Sequence, residues 1–344
     1  MHSKRNAAIL AALPLALAAA GALAQQLTHV PAANPKIGGV TLPTILSPQL
    51  AQIARAQGSM RVENPMGLFG FYGYLTDQSS MLPALGSNVE ASKTEPDKNT
   101  YLVLHGLRGA DADYDYGTHF LFQGHETGSQ SGITRVNLDA DAAHRVTLLT
   151  VTADNGSAPF PTIDGSTWYP FSQRLLFTQE GNGSTSGGVW QATPDYPSVA
   201  ENLLGVMGRG GYEGIQADSD GNIWLVEDIG GATVGGARVA NSFVYRFMPR
   251  DRRDLRAGGK LQALQAMKLD RSGPIVFNAA NALTQDAKDL HTYGNVFDTK
   301  WVTLHDTDVD GFAPFNANAL ARAKLATPFK RPENGQFRPG SGFG

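Results

Sequence analysis

Three β-type stretches between Asp164 and Asp228 each break off at a carboxylate. They read QRLLFTQEGNG (173–183), GRGGYEGIQ (208–216) and NIWLVEDIGG (222–231), and they present Glu180, Glu213, Glu227 and Asp228. β-favouring residues lead up to or follow each acid, so the pattern predicts carboxylates at strand ends, off the solvent face of any helix. Glycine beside the acids lets the backbone come close to an ion. Oxygen donors gathered in this way suit a hard cation such as calcium. A single glutamate at a strand end is ordinarily a solvated turn residue. Four acids in one local context are what point to a shared site, and their convergence in space is an expectation.

Strands of this kind must be carried by a β architecture. The chain has 344 residues, 42% of them hydrophobic and 17% charged, with 39 glycines and 19 prolines, a composition for a globular fold rich in tight turns. From Tyr101 onward strand candidates follow at short intervals: YLVLHG (101–106), HFLFQGHE (119–126), GITRVNLD (132–139) and RVTLLTV (145–151). No long apolar helix separates them, which predicts an all-β sandwich, barrel or propeller. DSDGN (218–222) reads as a hairpin turn between Ile215 and Ile223. Short helices are expected at 48–57, capped by Ser47, and at 316–325, capped by Asn316. The aromatic and glycine alternation at 64–75 reads as a loop packing its rings on the core. Residues 85–99 read as exposed, and 249–299, richer in charge, as a segment that includes an exposed excursion between blades.

The N-terminus addresses the compartment. Lys4 and Arg5 precede an apolar run from Ala7 to Ala20 and a small-residue site at Ala22–Ala24, the pattern of a secretory signal peptide. The apolar run is shorter than the roughly 20 residues that span a bilayer. The expectation is a periplasmic or secreted protein with no membrane span once the signal, 1–24, is removed, followed by an arm and first segments (25–99) and the main domain (100–344). There is no cysteine, which excludes disulfides and thiolate ligands. A net charge of −3 with no large Lys/Arg cluster argues against nucleic acid as a partner.

Other motifs are less pointed. Arg250, Arg252, Arg253 and Arg256 form a basic run that is ordinarily a solvated loop. DTDVDG (306–311) has the acidic spacing of a calcium loop, but its twelfth position is Ala317 where an EF-hand needs glutamate, leaving only a calcium site of another kind. His105, His119 and His125 form no constellation with serine, though His125 is next to Glu126 and would orient it.

Together these stretches resemble the PhoX-type alkaline phosphatase family. The resemblance is carried by FQGHE (122–126), GITRVNLDADAAHRVTLL (132–149), DGSTWYPFSQRLLFTQE (164–180), GRGGYEGIQADSDGNIWLVED (208–228), SFVYRF (242–247) and ATPFKRPENGQF (326–337). It implies a β-propeller whose central pocket holds calcium and iron and which removes phosphate from small-molecule monoesters. Residue by residue, it implies metal ligands at Glu126, Glu180, Glu213, Glu227 with Asp228 beside it, and Glu333. Arg209 in the GR motif would grip the substrate phosphate.

The chain departs from the family in three places. The family's iron centre carries a cysteine, so its absence favours calcium over an iron pair. GRGGYEG stands where the pattern is closer to GRFSHE. The chain reaches PGSGFG where relatives continue into further strands, so a propeller incomplete at the C-terminus is expected. Two other functions are compatible with carboxylates and calcium: a non-catalytic calcium-stabilised propeller that binds a partner, and a lactonase-like hydrolase.

Overall fold

Three antiparallel meanders of consecutive strands make up most of the described chain. The computed structural model describes residues 49–51, 53–76, 91–126, 130–154, 156, 158–278 and 282–336. The signal and most of the arm fall outside them. Chain contacts separate Met1–Ala54 from Arg55–Gly344, and every strand belongs to the second unit. The fold is mostly β, as the strand cadence predicts, with antiparallel sheets and a few short helices.

A hairpin of β1 (Arg61–Met66) and β2 (Phe69–Phe71) comes first. The first meander is β3 (Pro96–Val103), β4 (His119–His125), β5 (Ile133–Asn137) and β6 (Val146–Thr150). The second is β7 (Ser166–Tyr169), β8 (Arg174–Gln179), β9 (Gly188–Ala192) and β10 (Ala200–Asn202). The third is β11 (Tyr212–Ala217), β12 (Ile223–Glu227), β13 (Val244–Pro249), β14 (Gly259–Ala266) and β15 (Thr299–Asp306). Two-residue pairings, Thr152–Ala153 with Ala158–Pro159 and Thr233–Val234 with Ala237–Arg238, decorate the connections.

Face-to-face packing explains the strand sequences. β8 reads RLLFTQ with four consecutive buried residues because its sheet has a neighbour on each side, so both of its faces are apolar. Leu175 and Phe177 meet Phe120, Phe122 and Ile133 of the first sheet. Leu176 packs with Ile215, Leu225 and Tyr245 of the third. β12 has only one fully covered face, and its burial alternates along IWLVE. The hairpin into β12 forms where DSDGN requires it: Asp218 Oδ1 accepts from the amides of Asp220 (3.0 Å) and Asn222 (2.8 Å), and Gly221 takes the left-handed conformation.

The sheets meet along their first strands. Thr100 of β3 and Ser166 of β7 share a hydrogen bond of 2.8 Å, and Ser166 Oγ also donates to the Lys98 carbonyl at 2.9 Å. Thr178 of β8 donates to the Glu213 carbonyl of β11 at 2.7 Å. β3 thus meets β7, and β7 and β8 meet β11, so the three sheets contact one another in chain order.

Four short helices are present among the described residues: α1 (Leu204–Met207), α2 (Gln285–Leu290), α3 (Thr307–Asp310) and α4 (Ala317–Ala323). α4 matches its prediction, with Asn316 accepting from the Ala319 amide. Among the described residues no helix is long and apolar enough to cross a membrane.

Several expectations are corrected. Of the segment 48–57, Pro48 and Gln52 lie outside the described residues and the rest is not helical. Leu50 and Ile53 are exposed, and a helix this short does not form without a surface on which to bury its apolar stripe. Within 85–99, residues 85–90 lie outside the description, whereas Ala91 and Thr94 are buried and Pro96 begins β3. The segment 249–299 also contains β14, a strand of the third sheet with a neighbour on each side, and the expected excursion follows that strand. The acids of DTDVDG belong to none of the groups among the described residues that could hold a metal. Asp306 caps α3, Lys260 pairs with Asp306 at 2.9 Å, and Arg250 pairs with Asp308, so its charges are already answered. The basic run lies in a surface turn, as expected, with Arg256 paired to Asp254 and Glu201 and Arg252 over the Phe171 ring.

Candidate metal centre

Each meander delivers one carboxylate at the start of its first strand and one just after its second. Antiparallel pairing places those two positions at the same end of the sheet. In the first meander they are Asp97 and Glu126, since Pro96 is opposite His125. In the second they are Asp164 and Glu180, the Asp164 amide donating to the Thr178 carbonyl at 3.0 Å. In the third they are Glu213 and Asp228, since Tyr212 is opposite Glu227. Because these ends of neighbouring sheets meet, the acids converge. Oxygens of Glu126, Asp164 and Glu180 lie within 4.8 Å of one another, as do those of Glu180, Glu213 and Asp228.

Electrostatics mark this as a place where negative charge is held against its preference. Asp164 is 3% exposed and its Oδ1 has no hydrogen-bond partner. Burial, followed by Glu213 and Asp97, pushes its carboxyl up to about 10. Burial, followed by Glu213, Asp228 and Glu126, pushes Glu180 up to about 7. Glu126 and Glu213 are raised too, again chiefly by burial. Like-charged carboxylates do not stay ionised together unless a cation joins them. All donors are hard oxygens and one buried oxygen is orphaned, which fits calcium and fits poorly the softer ligands an iron pair prefers.

Two basic groups face the cluster. Arg331 makes a two-pronged ion pair with Asp228 through Nε and Nη2. It does so from a left-handed backbone, φ +49°, a conformation that a non-glycine residue holds only when its surroundings fix it. Lys98 donates to Asn334 at 3.2 Å; burial lowers its ammonium, against Asp164, Asp97 and Glu213, which raise it. Asn334 also reaches Glu213 at 3.4 Å, so the segment 331–334 closes over one side of the acids.

The sequence-predicted residues divide accordingly. Glu126, Glu180, Glu213 and Asp228 are brought together. Glu227 is not among them: adjacent strand residues point to opposite faces, and while Asp228 faces the acids, Glu227 is fully buried in the core. There it accepts from the Phe243 amide (3.0 Å) and Asn318 Nδ2 (2.9 Å), and burial raises it to about 7. Glu333 is exposed beside Glu213, whose carboxyl it raises slightly, and it stands outside both close groups of oxygens. Arg209 donates to the Thr185 carbonyl at 2.8 Å and forms no ion pair among the described residues. His125 does not orient Glu126. Its ring turns to the opposite face, between Thr94 Oγ1 (3.0 Å) and Thr134 Oγ1 (2.8 Å), and burial lowers it to about 3.

Sequence reasoning missed Asp97, Asp164 and Arg331. A signal for Asp164 was available: the separation from Asp164 to Glu180 differs by a single residue from that between Glu213 and Asp228. Arg331 stands in the same RPE motif that drew attention to Glu333.

The pairing of Arg331 with Asp228 has a measurable consequence. A guanidinium on a ligand carboxylate competes with a metal ion for it, so Arg331→Gln is expected to tighten calcium binding in titration calorimetry. The gain should reach about fivefold, equivalent to the ~1 kcal/mol of a half-exposed ion pair. A weaker affinity in the variant would mean that Arg331 supports the site.

No protein-family model matches this chain, and no curated protein matches it either.

Proposed function

We propose that this chain is an exported, calcium-dependent phosphatase of β-propeller architecture, hydrolysing phosphate monoesters at the centre formed by Glu126, Asp164, Glu180, Glu213 and Asp228. The observation that supports it is the repeated delivery of an acid pair by three meanders to one cluster. Meanders whose first strands line a common centre have the arrangement of propeller blades, and the resemblance of the quoted motifs to PhoX-type phosphatases supplies the reaction. When bound, calcium would act as a Lewis acid, polarising a phosphoryl oxygen and activating a water molecule. Asp164, buried, holds the inner side of the site; Glu180 belongs to both close groups of oxygens and bridges them. Arg331, at the rim and half exposed, is the group suited to a two-pronged grip on phosphate once it leaves Asp228. Arg209, held on Thr185, is better suited to positioning the loop after Glu180.

A specific observation favours a second reading, a calcium-stabilised binding module without turnover. Both basic groups facing the acids are already engaged, Arg331 by Asp228 and Lys98 by Asn334. One assay separates the two. With p-nitrophenyl phosphate and calcium, the phosphatase turns over at about 1 per second or faster, loses activity in a calcium chelator, and loses at least about 100-fold in Glu213→Gln. Calcium stabilisation with no turnover selects the binding module, and turnover of a lactone in place of the phosphate ester selects a lactonase.

A further inference from the structure

Beside the end of β14 the chain carries a second feature that the metal centre does not use, where α2 packs against the connection before β13 and the residues after β14. Buried there are Val239, Ala240, Ala266, Ile275, Phe277 and Ala282, with Leu290 of α2 packed against them. The segment Pro328–Pro332 lies on the other side, tied to the third sheet's connection by hydrogen bonds between Phe329 and Ser242. Between the two is an apolar cavity of about 300 Å³ lined by Ala240, Val244, Phe277, Ala282, Leu290 and Phe329.

The cavity does not end in apolar surface. His291, Ala287 and Lys330 border both it and an adjoining open recess of about 500 Å³, which adds Lys288. Lys288 and Lys330 are exposed and form no ion pair among the described residues. The acids of α2 are engaged elsewhere: Asp286 pairs with Lys268 at 3.4 Å, and Asp289 accepts from Gln285 at 2.6 Å. His291 donates Nδ1–H to the Ala287 carbonyl at 2.7 Å, so its Nε2 becomes a donor for an anion when the ring takes up a second proton. Leu283, 68% exposed, extends the apolar rim.

An apolar pocket closed on one side by packed side chains, with a few basic groups at its mouth, selects a ligand with an apolar body and an anionic head. We propose that this groove binds a free, single-chain alkyl carboxylate of medium length, its chain in the cavity beside Phe277 and Phe329 and its carboxylate at Lys288, His291 and Lys330. Two lysines and a histidine around one head group favour an anion over a neutral alcohol and exclude a quaternary ammonium by repulsion. The site is independent of the carboxylate cluster, although Lys330 adjoins the arginine that pairs with Asp228.

The test is calorimetric titration of the full protein with sodium decanoate below its micelle concentration. The expected result is one saturable site, with decanol at least tenfold weaker and decyltrimethylammonium without detectable binding. Lys288→Ala combined with Lys330→Ala should weaken decanoate at least tenfold while leaving the circular dichroism spectrum and calcium affinity unchanged. Ala282→Phe, which fills the cavity from one wall, should abolish binding. If that variant fails to fold, butyrate is the substitute measurement, because a ligand too short to use the cavity should bind at least tenfold more weakly than decanoate. Equal binding of decanoate and decyltrimethylammonium, an unaffected double-lysine variant, or butyrate equal to decanoate would each overturn the proposal. So would binding seen only to decanoate-containing vesicles, since the site is argued for a free monomer.

Discussion

Calcium added to the metal-free protein at pH 8 is expected to raise its melting temperature by about 5 °C when present at roughly 100 times its dissociation constant, and by much less at pH 5. The sign follows from the carboxyls. Asp164 is raised from 3.8 to about 10 and Glu180 from 4.5 to about 7, with Glu126 and Glu213 raised as well. A carboxyl raised by folding takes up more protons in the native state than in the unfolded one. Its contribution to stability is therefore fully present below the unfolded value, near 4, and is lost as pH climbs through the folded value. The metal-free centre should accordingly destabilise the fold progressively from about pH 4 through 7 and on towards 10. Calcium acts in the opposite sense, because it binds the ionised form and must displace those protons. The gap between melting curves with calcium and with chelator should widen as pH rises. Scanning calorimetry at pH 5, 7 and 8 measures it, and a gap that stayed constant or narrowed would remove the metal from this cluster. Asp164→Asn should shrink the gap at pH 8 and, in chelator, stabilise the protein, since an amide is spared the proton uptake that the buried carboxyl needs to stay in the fold at that pH.

The second large effect is expected from a single methyl group. Gly165 lies between Asp164 and the start of β7, where the second sheet approaches the third most closely. A Cβ at this position would sit 2.2 Å from the Glu213 carbonyl oxygen and 2.8 Å from Thr178 Oγ1, the hydroxyl that donates to that same carbonyl. Backbone cannot yield as a flexible side chain does, so Gly165→Ala must push β7 and β11 apart or break the Thr178 hydrogen bond. Overpacking of this kind costs about 2 kcal/mol, roughly 4–6 °C in melting temperature for a chain of this size. Calcium affinity should fall with it, because Asp164 and Glu213 flank the collision on the two strands being separated. Gly273→Ala is the control: a Cβ there meets nothing within 4 Å, and its effect should stay within about 0.5 kcal/mol. Equal melting temperatures and calcium affinities for the two variants would show that this junction of sheets tolerates the displacement.

Local pattern was enough to specify the elements themselves. The alternation in IWLVE and the apolar run in RLLF are recovered as β12 and β8, DSDGN turns the chain as its Asp and Gly require, and Asn316 caps α4. These features depend on residues within a few positions of one another, and the sequence alone contains that information. A context of strand, acid and glycine was likewise enough to single out Glu180, Glu213 and Asp228, together with Glu227, because such ends are local; Glu126 entered through the family resemblance.

Which carboxylates share a site was decided by tertiary structure. Asp97, the second residue of β3, and Asp164, just before β7, have no strand-then-glycine context of their own; only the meeting of β3, β7 and β11 brings them to the others. Glu227 and Asp228 are equivalent in local context, and the parity of the strand sends one to the Asn318 pocket and the other to the cluster. His125 is separated from the acids in the same way, by one step of the pleat. Arg331 meets Asp228 across most of the third sheet's sequence, a contact no local pattern encodes. Helix propensity at 48–57 came to nothing because its apolar residues have no surface to cover. Strand ends are written in short-range sequence, but which ends meet is settled by the packing of whole sheets, and the acid cluster exists only through that meeting.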